Sequence, residues 1–191
     1  MDPAFTLSYS EYEFAIQLQK HFPKSEGFSV FIPLSRQEKA IDLVLVRKRP
    51  SGKTKALTFQ VKASRTWTPV ARKNPRTEKL AYRTWHKAFT VHDEADYYVL
   101  CGVYFGSRNL DKPRVSRDIR NIRLLFTNEE MKQFLQSLRT VSGNTETMFS
   151  FGFDDPTKVV LKRGIPDQKD KDFTKYLFER RISSLRRKLG G

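Results

Sequence analysis

The spacing of hydrophobic and polar positions changes along the chain, and each change marks a predicted element. Between Ser8 and Phe22, apolar residues recur at every third or fourth position, which is typical of an amphipathic helix, and Pro23 ends it. Five shorter runs rich in β-branched and aromatic residues follow and are predicted to be strands: 28–32, 40–46, 57–63, 97–105 and 121–126.

A helix is predicted over 78–89, between the third and fourth strands, because Ala81, Trp85 and Ala88 would share one side of it. Three later features are predicted in order: a helix from Thr127 to about Leu138, a hairpin of strands 148–153 and 158–162, and a basic helix of about 172–189. The order α-β-β-β-α-β predicts an α/β fold with a mixed central sheet flanked by helices.

The chain of 191 residues is predicted to form one domain, with a core of about 8–140 and a C-terminal elaboration, the hairpin and the basic helix, over about 141–191. Its apolar runs are all far shorter than the roughly 18 residues that span a bilayer, so no membrane-spanning segment is expected. The single cysteine, Cys101, lies in an apolar strand and is predicted to be a buried core residue. A reducing, cytoplasmic location is expected.

Three polar residues, Asp42, Gln60 and Lys62, interrupt two of the apolar strands. Charged and amide groups are costly to bury unless something compensates them. A metal ion would do so, because carboxylate and carbonyl oxygens are the ligands that Mg²⁺ prefers. The pattern therefore predicts a Mg²⁺ site with a lysine beside it, which is chemistry suited to phosphodiester hydrolysis.

The turn between the two strands decides whether these side chains meet. A turn centred near Ser51 places Asp42 opposite Gln60, and a turn centred near Gly52 places it opposite Lys62. Both registers put the three groups on one face, and both need an odd-length loop or a bulge. A two-residue turn would move Asp42 to the other face.

The first helix carries two candidate acids. Glu11 falls on the face of Phe14, Leu18 and Phe22 and is predicted to point toward the strands. Glu13 is predicted to fall on the opposite side. Two capping boxes fit the helix start, Ser8 with Glu11 and Ser10 with Glu13.

The net charge of +15, with a pI near 10, indicates a polyanionic partner, either nucleic acid or an anionic membrane surface. The distribution of this charge favours nucleic acid, because the segment 62–87 is rich in Lys and Arg and contains tryptophan and tyrosine. Most of these basic residues lie directly downstream of Lys62. Four residues of this segment are predicted to bind DNA: Arg65, Arg72, Lys73 and Arg76. A second basic cluster lies around Arg186.

An acid on the first helix, an acid on the second strand and Gln-x-Lys on the third resemble the PD-(D/E)xK nuclease superfamily over about residues 8–105. The resemblance implies a restriction-endonuclease-like αβββαβ core and Mg²⁺-dependent cleavage of DNA, with Mn²⁺ as a substitute. Asp42 would be the principal metal ligand, and Gln60, the Val61 carbonyl and Glu11 would complete the metal site. Lys62 would be the motif lysine.

The chain departs from the family pattern at two positions. Ile41 stands where the family has proline, which affects no chemistry. Gln60 stands where the family usually has Asp or Glu, and a neutral amide oxygen should bind Mg²⁺ more weakly than a carboxylate does.

The function expected from this resemblance is that of a type II restriction endonuclease acting on double-stranded DNA as a homodimer, because cutting both strands normally needs two active sites. Two alternatives remain open. One is a structure-selective nuclease of the junction-resolvase or repair type, and the other is a catalytically silent DNA-binding module with the same fold.

Overall fold

The computed structural model describes residues 8–33, 40–49, 52–67, 80, 82–105, 119–165 and 171–190. These residues contain three helices, α1 (Tyr9–His21), α2 (Asn128–Gln136) and α3 (Phe178–Leu189), and two single 3₁₀ turns, Lys24–Glu26 and Thr174–Tyr176. Their nine strands are β1 (Phe28–Phe31), β2 (Leu43–Lys48), β3 (Thr54–Trp67), β4 (Tyr82–Lys87), β5 (Tyr97–Phe105), β6 (Ile119–Thr127), β7 (Met148–Phe153), β8 (Val160–Arg163) and β9 (Lys171–Asp172).

The long strand β3 joins two groups of strands. In the first group the order is β1-β2-β3-β5-β6, and every pair is antiparallel except β3 with β5, which is parallel. In the second group the last two residues of β3 pair with β4, which continues through β7 and β8 to β9, all antiparallel. The chain therefore forms a mixed sheet, as the sequence predicted.

Each face of the first strand group has its own hydrophobic core, because strand side chains alternate between the two faces. On one face, α1 and α3 pack on the strands, and the Phe14 ring makes edge contacts with Phe59 and Phe178. On the other face, α2 and the strands of the second group pack together around Phe126, Phe134 and Phe149.

Most predicted elements are confirmed, including the first helix, the Asp42 and Gln60 strands, the strand around Cys101 and the helix after Thr127. The helix predicted over 78–89 is wrong, because Tyr82–Lys87 is strand β4. Its residues alternate with a period of two, so that Thr84 and His86 are buried while Lys87 is exposed. Pairing with β7 along the whole of β4 explains why the strand forms. The last helix also begins later than predicted, at Phe178.

Cys101 is fully buried in the first core, as predicted, and its burial raises the pKa of the thiol to about 12. It is a core residue rather than a reactive thiol. Every helix that the structure describes is too short or too polar to cross a membrane.

Candidate active site

The register of the β2–β3 hairpin brings Asp42 and Gln60 together. Leu43 lies opposite Phe59 and the pairing continues to Lys48 opposite Thr54, so one step beyond Leu43 the chain places Asp42 opposite Gln60. This is the first of the two registers considered from the sequence. The connection has the odd length that it requires, since the Arg49 N–H donates to the carbonyl of Lys53 at 3.0 Å. Gly52 lies in the left-handed region, with φ of 78°, which a glycine adopts without strain.

Asp42 is held against β3 by two hydrogen bonds. Its backbone N–H donates to the carbonyl of Phe59 at 2.9 Å, and its Oδ2 accepts from the Val61 N–H at 2.7 Å. The second bond is a short, charge-assisted one, which fixes the carboxylate beside the backbone between Gln60 and Lys62. The side chain is half-buried at the end of β2, where the strand begins.

Gln60 has a buried amide oxygen that lacks a hydrogen-bond partner among the residues that the structure describes. Its side chain is only 6% exposed, and among the described residues no donor reaches its Oε1 atom. A buried polar atom without a partner costs about 1–3 kcal/mol, so most such atoms in folded proteins are satisfied. A bound cation is one partner that would satisfy this oxygen, and Asp42 lies directly across the strand pair from it.

Lys62 lies two residues after Gln60, on the same face of β3. Its Nζ atom is 5.4 Å from the centroid of the Phe89 ring. Lys62 lines a pocket of about 520 Å³, together with Ser8, Glu11, Val61, Ala63 and residues 85–89. Asp42 and Gln60 are not in the described wall of this pocket, but the hydrogen bond from Val61 ties Asp42 to its edge.

The pocket lies where β3 changes partners. Pairing with β2 ends at Phe59, whose carbonyl also receives the Asp42 N–H, and pairing with β4 begins only at Thr66. Residues 61–63 lie between these two pairings and contribute to the pocket wall. Close by, the Ser64 hydroxyl donates to the carbonyl of Trp85 and connects β3 to β4.

Glu11 is both a helix cap and a wall of the pocket. Ser8 Oγ accepts from the Glu11 N–H at 3.3 Å, and Glu11 Oε2 accepts from the Ser8 N–H at 3.2 Å. This reciprocal pair is a capping box, and it selects Ser8 with Glu11 from the two boxes that the sequence allowed. The structure thus brings Glu11 to the same pocket as Lys62.

The prediction for Glu13 is wrong, since this residue does not point away from the strands. Its carboxylate accepts two hydrogen bonds from Arg123 on β6, at 2.8 and 2.9 Å, and the side chains are 16% and 11% exposed. Arg123 also pairs with Glu179 of α3 at 2.7 Å. Glu13 therefore joins α1 to β6 and α3, and its role is structural.

The four residues predicted to bind DNA are not tested by the structure. Arg72, Lys73 and Arg76 lie outside the described residues, and for Arg65 only the backbone is described, opposite Val103 of β5. Two arginines of the C-terminal basic cluster form hydrogen bonds within the fold. Arg181 makes two hydrogen bonds to Glu130 of α2, and Arg186 pairs with Glu26 and donates to the carbonyl of His21.

Residues 85–89 line the pocket, although the sequence predicts a helix there and does not indicate a site. Their alternating pattern was the available signal: Tyr82, Thr84 and His86 on one face of β4, and Arg83, Trp85 and Lys87 on the other. His86 is 5% exposed and stacks on Phe149, and its burial lowers the pKa of the imidazole to about 4. It is therefore neutral at pH 7.

Four residues are predicted to hold the metal, Asp42, Gln60, Glu11 and Val61, and two of them, Glu11 and Val61, line the pocket. Two carboxylates, an amide oxygen and a backbone carbonyl are hard oxygen donors. Within the described ranges, no group of three or more His, Cys, Asp and Glu side chains is arranged to hold a metal. The orphaned Gln60 oxygen beside Asp42 is the observation that agrees with an ion at this position.

Comparison of the chain with protein-family models, with curated proteins and with solved structures found no match.

Proposed function

We propose that the chain is a Mg²⁺-dependent DNA endonuclease of the PD-(D/E)xK type, acting as a type II restriction enzyme. The observation that carries the proposal is the pairing of two oxygen donors: the Asp42 carboxylate, fixed by the Val61 N–H, lies across the β2–β3 pair from the buried Gln60 oxygen, which has no hydrogen-bond partner in the described part of the chain. A buried oxygen without a hydrogen bond destabilises a fold, but together with a nearby carboxylate it can serve as a ligand for a metal ion.

The element order supports the proposal in part. The chain begins α1-β1-β2-β3, and β3 pairs in parallel with β5, so the candidate residues come from a helix and two strands as the superfamily pattern requires. The departure is the link between β3 and β5, where the described residues contain strand β4 in place of the expected helix. This departure alters one wall of the pocket, while Gln60 and Lys62 lie on β3 and Asp42 lies directly before β2.

Four groups would hold the metal: the side chains of Asp42, Gln60 and Glu11, and the backbone carbonyl of Val61. When bound, Mg²⁺ supplies Lewis-acid activation of the scissile phosphate and of the attacking water. Asp42 and Glu11 contribute the negative charge of this set, since Gln60 and the Val61 carbonyl are neutral. We expect a higher Mg²⁺ requirement than a carboxylate at position 60 would give.

Lys62 would hold the attacking water and stabilise the negative charge that develops on the phosphate, which is where electrostatic catalysis contributes most. It extends from the strand that carries Gln60, into the pocket that Glu11 also lines. Its cation lies near the Phe89 ring, an apolar neighbour that limits competition from water.

Digestion of plasmid DNA tests the proposal. Incubation with Mg²⁺ should give discrete fragments, and both EDTA and the Asp42→Asn variant should abolish them. Asparagine keeps an oxygen for the Val61 N–H while it removes the charge. Structure-dependent nicking in place of fragments would indicate a junction or repair nuclease. Binding without any cleavage would overturn the enzymatic proposal and favour a silent DNA-binding module.

Cutting both strands of a duplex calls for two active sites, so we also propose that the enzyme works as a homodimer. Sedimentation in the presence of a duplex target would test this, and a strictly monomeric complex that still makes double-strand cuts would contradict it.

A further inference from the structure

A row of side chains crosses the outer face of the second strand group. Trp85 of β4 lies opposite Ser150 of β7, and Ser150 lies opposite Arg163 of β8. Because the neighbouring Phe149 and Phe151 point into the core, Ser150 lies on the outer face, and Trp85 and Arg163 share that face with it. Ser150 is nevertheless fully buried. The larger side chains on either side therefore cover it.

Arg83 belongs to the same face. It lies opposite Gly152, and its Nε donates to Ser150 Oγ at 3.0 Å. Its guanidinium carbon is 4.4 Å from the centroid of the Trp85 ring, and that of Arg163 is 5.4 Å from it. Two arginines are thus brought together on one tryptophan, each by a cation–π contact.

A β-bulge adds a further cation to this face. The register shifts between Ser150 and Phe151, so that Lys162 is an extra residue between the Arg163 and Leu161 pairings. A Cβ atom on Gly152 would lie 3.1 Å from Lys162 Cγ, so Lys162 also lies over the outer face. Two successive residues of β8 therefore present positive charge on one side, which a regular strand does not allow.

Arg163, at the β8 end of this row, is fixed in place by Glu146. Arg163 Nε donates to Glu146 Oε2 at 2.8 Å, and its Nη2 donates to Glu146 Oε1 at 3.3 Å. The bond to Arg163 also lowers the pKa of Glu146, which therefore stays ionised. Arginines held in one geometry lose less conformational freedom when they bind a ligand, so they are suited to planar, anionic groups.

We define the β4–β8 surface by Arg83, Trp85, Lys87, Lys162 and Arg163. It carries four cations, of which Arg163 is bonded to Glu146 and Arg83 to Ser150. Two of its members, Trp85 and Lys87, also line the pocket with Lys62 and Glu11. The surface and the candidate active site are therefore continuous.

We propose that the β4–β8 surface binds the phosphodiester backbone of nucleic acid and leads it to the Lys62 pocket. Lys and Arg side chains bind backbone phosphates without reading sequence, and planar guanidinium groups match phosphate oxygens well. The identification of the polymer as DNA rests on the proposed function. The binding surface itself rests on the geometry of β4, β7 and β8.

The geometry favours nucleic acid over a membrane surface. Protein segments that bind membranes insert exposed apolar side chains beside their cations. The large apolar side chains on this face include Trp85, which contacts two arginines, and Leu80, which lies over Gly152, and both are only half-exposed. Rigid cations around a covered ring suit a charged backbone rather than a lipid interior.

The test is a fluorescence-anisotropy titration of a labelled DNA duplex at several salt concentrations, in EDTA so that no cleavage occurs. The double variant Arg83→Gln/Arg163→Gln should lose two phosphate contacts and flatten the log–log salt slope by up to about 1.8, since each contact contributes about 0.9. The matched control is Arg180→Gln/Arg187→Gln, which removes the same charge from exposed positions of α3. It should leave the slope nearly unchanged.

A second variant covers the case in which Arg163→Gln disturbs folding by leaving Glu146 without its partner. Arg83→Gln/Lys162→Gln keeps the Arg163–Glu146 pair and should flatten the slope by a similar amount. Circular dichroism and thermal unfolding establish that each variant is folded. An unchanged slope in a folded variant, or equal flattening in the α3 control, would overturn the proposed surface.

Binding to lipid vesicles distinguishes a nucleic-acid surface from a membrane-binding surface. Phosphatidylcholine vesicles with added phosphatidylserine should bind wild type and the β4–β8 variants alike, whereas a loss seen with vesicles and not with DNA would overturn the inference. The two proposals also fail separately. If wild type binds DNA through this surface but never cleaves it with Mg²⁺, the inference stands and the nuclease proposal fails.

Discussion

Two stretches of β3 use the same strand geometry for different purposes. In the stretch 54–59, Leu57 and Phe59 pack with β2 side chains in the core beneath α1, and every residue pairs with β2. In the stretch 60–63, pairing has passed to β5, and Gln60 and Lys62 occupy the other face. The two stretches differ in their neighbours along one edge of β3. Pairing with β2 ends at Phe59, and pairing with β4 begins only at Thr66. A strand that changes partners opens a short gap, and the candidate site occupies it.

The largest effect should come from substitutions in the second stretch. Asp42→Asn and Lys62→Ala should each slow cleavage by about 10²–10³-fold, since one well-placed electrostatic group contributes on the order of 3–4 kcal/mol to transition-state stabilisation. Single-turnover cleavage of a plasmid or a defined duplex measures this. DNA binding in EDTA should remain.

The matched substitution in the first stretch is Leu57→Ala. It should lower the free energy of unfolding by about 2–5 kcal/mol, because it opens a cavity in the core, and it should leave the cleavage rate of the folded protein unchanged. If Leu57→Ala slowed cleavage as much as Lys62→Ala does, the division of β3 into two stretches would be wrong.

The sequence predicted the β2–β3 strands and their polar residues correctly, whereas it did not predict the pocket wall formed by residues 85–89. Asp42 and Gln60 stand out because they interrupt apolar runs, and the odd-length turn limited the registers to two, of which one is observed. The residue types of the connection allow a turn centred near Ser51 or near Gly52, so the sequence does not select between the two registers. Local residue types do not determine this choice.

The misassigned region has a physical explanation. In the segment 78–89, the spacing of Ala81, Trp85 and Ala88 allowed a helix, while Tyr82–Lys87 also alternates as a strand. Pairing with β7, a distant segment, decided between them. Glu13 was misread for a similar reason, because its partner Arg123 lies far along the chain. Local patterns alone do not identify long-range partners of this kind.

The next largest effect concerns His86, in the wall that β4 adds to the gap. Its pKa is about 4 in the folded protein, below the usual value of 6.5, because it is buried. As the pH falls, the unfolded chain takes up the proton first, so stability should be lost between about pH 6.5 and pH 4, by up to about 3 kcal/mol.

Urea unfolding at several pH values measures this loss. His86→Gln should flatten the stability profile above about pH 4.5, where the carboxylates are still largely ionised. The control is His92→Gln, which changes a half-exposed histidine and should keep the wild-type slope. An unchanged slope in His86→Gln would mean that His86 is accessible to protons from the pocket in the folded state.

A smaller effect on stability should distinguish the two glutamates of α1. Glu11 lines the pocket, whereas Glu13 pairs with Arg123 of β6. Glu13→Gln breaks a charged pair with Arg123 and should lower the free energy of unfolding by about 2 kcal/mol, as expected for hydrogen bonds to charged groups. Glu11→Gln should cost less than about 1 kcal/mol, since glutamine also completes a capping box. Cleavage should respond in the opposite sense, with Glu11→Gln slowing it and Glu13→Gln leaving it intact. Equal rates for both variants would remove Glu11 from the site.

The smallest effect expected concerns Gln60, at the boundary between the two stretches. Gln60→Glu adds a negative charge to the proposed metal site and should lower the Mg²⁺ concentration for half-maximal cleavage by about tenfold, or about 1.4 kcal/mol. Without metal, the same substitution buries a carboxylate next to Asp42 and should destabilise the fold. Thermal unfolding therefore gives a readout that does not depend on activity, because Mg²⁺ should raise the melting temperature of Gln60→Glu more than that of wild type. Gln19→Glu is the matched control, since it adds the same charge at an exposed position of α1 and should leave both quantities unchanged. If Gln60→Glu behaves like Gln19→Glu, the oxygen at position 60 is not a metal ligand, and the site would have to be built from Asp42, Glu11 and the Val61 carbonyl.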